Sequence, residues 1–207
     1  MQQLGPDTLR HLSKIRRDII VIGASAGGVK ALQRLFAAFP RTLPAILGVV
    51  VHRRVLPGHL ASVLARHSSL PIIEPQDGEI LRQGTIYLAP ADHHLVFYDG
   101  SAGVVQGPKE HHTRPAADPL FRSAATAYGV RVVGVVLTGC GKDGVSGLTA
   151  IEAAGGVGLV QDPQEAEMPS MPQNAIHYDD VTGVYRLDEL AAVLETLANG
   201  HERAAVT

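Results

Sequence analysis

The chain has 207 residues, few aromatics, a single cysteine and a formal net charge of −2. That length suits one domain with a core of normal size, and the charge gives no electrostatic footprint for a nucleic-acid partner. Cys140 has no partner for an internal disulfide, no run reaches the apolar length of a membrane span, and the polar start MQQLGPDTLRHLSKIRRD lacks a signal-peptide core, so a cytoplasmic chain without direct membrane insertion is expected.

Residues 1–17 read as a polar lead with room for a short helix (Leu9, Leu12, Ile15). DIIVIG, from Asp18 to Gly23, is apolar without alternation and predicts a strand buried on both faces. GGVKALQRLFAAFP follows as a helix, with Val29, Leu32, Leu35 and Phe36 at helical spacing and Pro40 beyond its end. AILGVVVH, Ala45 to His52, predicts a second buried strand, and PGHLASVLARHS a helix with Leu60, Val63 and Leu64 on one face. The stretch from Leu70 to Gly107 carries Asp-Gly and Gln-Gly turns between short strands and reads as a local β-rich excursion. In DPLFRSAATAYG, Asp118 is the expected N-cap, Pro119 the first helical residue and Gly129 the stop. VRVVGVVLTG predicts a third long strand, DGVSGLTAIEAAGG a helix, VGLVQ a strand, MPSMPQNAIHYDD a Pro-interrupted stretch with a short helix, and LDELAAVLETLANG a last amphipathic helix closed by Gly200. Strands alternating with helices point to an α/β fold. The expected form is a doubly wound, mostly parallel, Rossmann-like sheet with helices on both faces and a small β-rich excursion, as one domain over residues 18–200 with a tail at 201–207.

In such sheets the site forms at the carboxyl ends of the strands. Ser25 follows the first strand, His52 closes the second, and Asp143 follows the third in TGCGKDG. A serine hydroxyl needs a base within hydrogen-bond reach, and a base needs a group that fixes its tautomer. Ser25, His52 and Asp143 therefore form a candidate nucleophile, base and acid set. GASAG satisfies G-x-S-x-G and opens a helix, whose free amides favour an oxyanion. Backbone support is expected from Ala26 and from Cys140 in the second glycine loop; one such donor is worth about 3–4 kcal/mol in acyl transfer. Asp143 has a competing role as cap of the helix that follows it. The same turn fits a phosphate loop poorly, because Val29 stands before Lys30 and no Ser or Thr follows, and it lacks the middle glycine of a dinucleotide fingerprint. The pairs His93-His94 and His111-His112 do not suggest a metal, since strand neighbours point to opposite faces.

VIGASAGG, the strand ending in His52 with PGHLASVLARH behind it, GTIYLAPADHHLVF, TRPAADPLF, GVVLTGCGKDGVSGL and AAGGVGLVQDPQEAEMPSMPQNAI together resemble the catalytic domain of the chemotaxis protein-glutamate methylesterase, CheB, over about Asp18 to Val184. The resemblance implies hydrolysis of glutamate γ-methyl esters on the cytoplasmic helices of chemoreceptors or a similar signalling protein. Methanol is released, and many members also deamidate receptor glutamines. It implies Ser25, His52 and Asp143 as the catalytic set, an oxyanion donor at the Cys140 backbone, and no metal or organic cofactor. The loop after His52 is longer than the family's usual H-x-P-P-G and carries Arg53 and Arg54; these, with Arg114 and Arg122, are candidates for lining a groove for an acidic receptor helix. The family's usual methionine in the second glycine loop is Cys140 here. The typical enzyme also carries an N-terminal receiver domain where about seventeen residues stand in this chain. The corresponding expectation is either an excised domain or a stand-alone enzyme with different control, such as a separate receiver protein. The alternative is a non-catalytic receptor-binding module of the same fold.

Overall fold

Runs that are apolar at every position, not at alternate ones, become strands covered on both sides: Ile19–Ala24 and Ile46–Val51 are buried throughout. The computed structural model describes residues 3–52, 59–179 and 181–200. Its elements are α1 (Pro6–Leu12), β1 (Ile19–Ala24), α2 (Gly28–Ala37), β2 (Ile46–Val51), α3 (Leu60–Ala65), β3 (Ile72–Ile73), β4 (Glu79–Ile80), β5 (Thr85–Leu88), β6 (His94–Tyr98), β7 (Ser101–Val105), α4 (Ala117–Tyr128), β8 (Val132–Val136), α5 (Val145–Ala153), β9 (Val157–Gln161), α6 (Ser170–Tyr178), β10 (Gly183–Tyr185) and α7 (Leu187–Asn199).

Seven strands form one sheet in the order β10-β9-β8-β1-β2-β5-β3, with parallel pairing throughout. The chain leaves β1 toward β2 and β5, then returns to β8 on the other side of β1 and continues to β9 and β10. The order reverses at β1, and that is where open α/β sheets place their sites. One face of the sheet (Ile20, Ile22, Leu47, Val49, Val135) packs on Leu32, Leu35 and Phe36 of α2 and Leu190, Leu194 and Leu197 of α7. The opposite face (Ile19, Val21, Val50, Val136) packs on α4, α5 and α6 through Leu120, Phe121, Leu148, Ile151 and Met171. The smaller sheet, β4-β7-β6, is antiparallel and adds Leu95, Phe97 and Ala102 to that second core.

Several expectations shift. The β-rich excursion is divided: β4, β6 and β7 form the separate sheet, while β3 and β5 join the main one. The helix after β2 buries Leu64 only and leaves Val63 38% exposed, so its inward stripe is narrower than the sequence suggests. Helix α4 starts two residues earlier than expected, with Ala116 as N-cap and Asp118 already inside the first turn. Residues 201–207 lie outside the described residues.

Candidate active site

Strand pairing brings the first two candidate residues together. Ala24 lies opposite Val51 in the parallel β1–β2 register, and the His52 amide donates to the Ala24 carbonyl at 3.0 Å. Ser25 and His52 are thus the first residues beyond two adjacent strand ends, at the same level and about 5 Å apart along the hydrogen-bonding direction. Gly23, two residues before Ser25, faces α4: a Cβ there would lie 2.7 Å from Ala117 Cβ. The missing side chain lets the first turn of α4 lie directly against β1.

On the other side of β1, the loop after β8 closes on Ser25. The Ser25 amide donates to the Thr138 carbonyl at 3.0 Å, and the Thr138 hydroxyl donates to the Ala26 carbonyl at 3.0 Å. Gln161 Oε1 in turn accepts the Thr138 amide at 2.8 Å. Gly139 is held by its amide on the Met168 carbonyl and by its carbonyl under the Met171 amide, both at 2.9 Å. It is packed so tightly that a Cβ would lie 2.2 Å from Met171 Sδ and 2.7 Å from Ser25 Cβ. Thr138 and Gly139 carry no motif that marks them for this role in the sequence. The signal was a threonine and a glycine immediately past a strand end. The next amide, that of Cys140, has no acceptor among the described residues, and neither has the amide of Ala26.

The third candidate closes on the second. Asp143 Oδ2 lies 2.6 Å from His52 Nε2, with His52 17% and Asp143 1% exposed. The Asp143 carboxylate also accepts the Ala117 amide at 2.6 Å and the Asp118 amide at 3.1 Å. It therefore caps α4, not the helix that follows it. The expected competition between capping α5 and orienting the histidine does not arise, because Asp118 Oδ1 supplies the α5 cap by accepting the Gly147 amide at 2.7 Å. Burial acts to raise the Asp143 carboxyl; the hydrogen bond to His52, the Ala117 amide, the charge of His52 and the Asp118 amide outweigh it and hold the group below the usual carboxylate range. An ionised carboxylate only accepts, so the His52 Nε2 facing it is a donor, and in the neutral ring Nδ1 is then the acceptor. Among the described residues Ser25 Oγ makes no hydrogen bond, to His52 or to any other group.

Arg53 and Arg54 lie outside the described residues. Arg114 and Arg122 are held in ion pairs. Arg114 reaches Asp92 at 2.8 Å and the Gly107 carbonyl at 2.6 Å, and is 16% exposed; Arg122 contacts both Glu110 oxygens at 2.7 and 2.9 Å. His94 is buried, accepting the Ala116 amide on Nδ1 at 3.2 Å and donating from Nε2 to the Pro108 carbonyl at 2.9 Å. His111 and His112 stand in a turn at φ 51° and 63°, so the strand argument does not apply to them. His111 joins Asp118 and Asp143 in one cluster. Its carboxylate oxygens are occupied by the amides of Ala117, Asp118 and Gly147 and by the two imidazoles, which makes it a hydrogen-bonded group, and no metal is assigned to it.

A serine in a glycine turn, a histidine one strand over and a buried aspartate behind that histidine stand at adjacent ends of a doubly wound sheet, the same residue types that acyl-transfer hydrolases combine. The family model described as CheB methylesterase matches residues 20–194. The crystal structure of the Thermotoga maritima CheB methylesterase catalytic domain superposes with a TM-score of 0.79 at 31% identity, covering 88% of this chain and all of that one. A protein-glutamate methylesterase/protein-glutamine glutaminase of Anaeromyxobacter dehalogenans is 36% identical over 93% of this chain and 60% of its own length. One from Methanosarcina mazei is 35% identical over 89% and 53% respectively. The chain belongs to the CheB methylesterase family. It spans between half and two thirds of the length of these two curated relatives.

Proposed function

We propose that this chain is a protein-glutamate methylesterase acting on γ-methyl esters of glutamate in chemoreceptor-type proteins, with Ser25 as nucleophile. The observation that carries the reading is the His52–Asp143 contact at 2.6 Å, one strand spacing from Ser25. Ser25 Oγ attacks the ester carbonyl while His52 Nδ1 takes its proton. The imidazolium that forms is stabilised through Nε2–H by the Asp143 carboxylate. The oxyanion of the tetrahedral intermediate is met by the amides of Cys140 and Ala26, which have no acceptor among the described residues. Collapse of the intermediate expels the methoxy group, His52 returns the proton to it, and methanol leaves. Water, activated by the same Nδ1, then attacks the acyl-serine and releases the glutamate carboxylate.

A glutamine side chain offers the same acyl centre with ammonia as leaving group. The names of the relatives couple both activities, which supports a glutaminase reaction at the same serine. The test is methanol release from the methylated cytoplasmic domain of a chemoreceptor. Release that depends on Ser25 and His52 is expected. Binding of that domain without release, unchanged in Ser25→Ala, favours a non-catalytic binding module instead.

A further inference from the structure

Behind Asp143 lies a second buried carboxylate that the steps above do not use. Asp118 is 1% exposed, and its Oδ2 lies 2.7 Å from Nε2 of His111, which is 39% exposed. Its own amide donates to Asp143 Oδ1 at 3.1 Å. One ligand-type atom from each of His111, Asp118 and Asp143 lies within 4.8 Å of the other two. Two carboxylates this close and this dry repel unless one of them is compensated. Asp143 has His52 and two amides. Asp118 has a single amide, from Gly147, and His111.

The two groups are driven apart. Burial pushes the Asp118 carboxyl up and the charge of Asp143 adds to this, against the pull of Gly147 and His111, while Asp143 is held down. Of the two carboxyls, Asp118 is therefore the one pushed toward its protonated form. Among the described residues, the other ionisable groups in this hydrogen-bonded neighbourhood are few. His94 of β6 holds the Ala116 amide, Glu110 and Arg122 are paired with each other, and His52 is reached through Asp143.

We propose that His111 and Asp118 form a second histidine–aspartate pair that acts on His52 through Asp143. The proton held between His111 and Asp118 neutralises the second carboxylate and leaves Asp143 as the one anion whose field sets the proton affinity of His52. His111 and Asp118 are positioning residues in this scheme. It rests on His52 as general base for its catalytic meaning, but not for its electrostatics. The back-to-back arrangement places an exposed imidazole on the far side of a buried carboxylate pair, so the state of a half-exposed group is felt at the base.

The test is the titration of the His52 ring, followed by NMR of its Cε1–H in the intact chain, which needs no substrate. His111→Ala and His111→Gln remove the imidazole that shares a proton with Asp118, so charge that forms on that carboxylate is felt at His52, whose midpoint is expected to rise by about half a pH unit or more. Asp118→Asn removes the second charge while keeping an acceptor for Gly147, and introduced into the His111→Ala background it is expected to return the midpoint to the wild-type value. The acid limb of kcat/KM for methanol release should move with the NMR midpoint. A His52 midpoint within about 0.2 units of wild type in both folded His111 variants overturns the proposal, as does a rise that Asp118→Asn does not reverse. Failure of wild type to release methanol bears on the proposed function alone, since the NMR shift is read without turnover.

Discussion

Asp118 and Asp143 each cap the helix that the other begins. Asp143, just before α5, accepts the first two amides of α4, and Asp118, inside α4, accepts the Gly147 amide of α5. The position of the carboxylate behind His52 is thus set by the packing of two helices and not by its own loop. Asp143→Ala should therefore cost both activity and stability. It orphans two buried amides, each worth about 1–3 kcal/mol, so a fall in thermal midpoint of several degrees is expected alongside a loss of turnover of about 10⁴-fold. Ser25→Ala, which removes a hydroxyl with no partner among the described residues, should leave the melting curve in place.

Gly139 tests the closeness of the two loops. Gly139→Ala puts a methyl group into Met171 Sδ and Ser25 Cβ, so either the loop or the serine must move. A displacement of about 1 Å at a nucleophile costs about 10²-fold in rate, and overpacking costs about 1–3 kcal/mol. Methanol-release kinetics and a thermal melt read the two effects separately. A fully active Gly139→Ala would show that Ser25 is not held by this contact.

The proposed oxyanion role of Cys140 lies in its backbone. Cys140→Pro deletes the amide hydrogen and is expected to lower kcat by about 10²–10³-fold, with KM changed far less. Steady-state kinetics on a variant whose circular dichroism matches wild type makes the comparison. Equal kcat in wild type and Cys140→Pro would remove that amide from the mechanism.

The pH dependence of stability separates the two carboxylates by sign. Asp118 has a raised carboxyl value, so its contribution is fully present below the unfolded value of about 3.9 and is lost as pH rises through the folded one. Asp143 is depressed, so its contribution is present above about 3.9 and is lost as pH falls through its folded value. Asp118→Asn has no such loss on the alkaline side. The thermal midpoint of Asp118→Asn relative to wild type should rise between about pH 4 and pH 7. A difference that stays constant across that window contradicts a raised Asp118.

The placement of Ser25, His52 and Asp143 just past neighbouring strand ends was legible in the sequence because unbroken apolar runs mark where strands stop. The capping pattern was not. Asp118 followed by Pro119 reads as an N-cap, but the amides that find each carboxylate are decided by α4 lying against α5, which no local pattern records. The same holds for His94 and His111, whose partners come from segments that only the fold brings together. β10 was missed because Gly183–Tyr185 is three residues long and is a strand only by pairing with β9. Short β3 and β5 lie within the expected β-rich excursion, and their pairing into the main sheet is likewise decided only by the fold.

The most direct test of Ser25 as nucleophile sets Ser25→Ala beside Cys140→Ala in single-turnover methanol release from a methylated receptor domain. Ser25→Ala is expected to lose about 10³-fold or more, while Cys140→Ala, which keeps its amide, stays within about threefold of wild type. Wild-type turnover in Ser25→Ala, or a loss confined to Cys140→Ala, would contradict it.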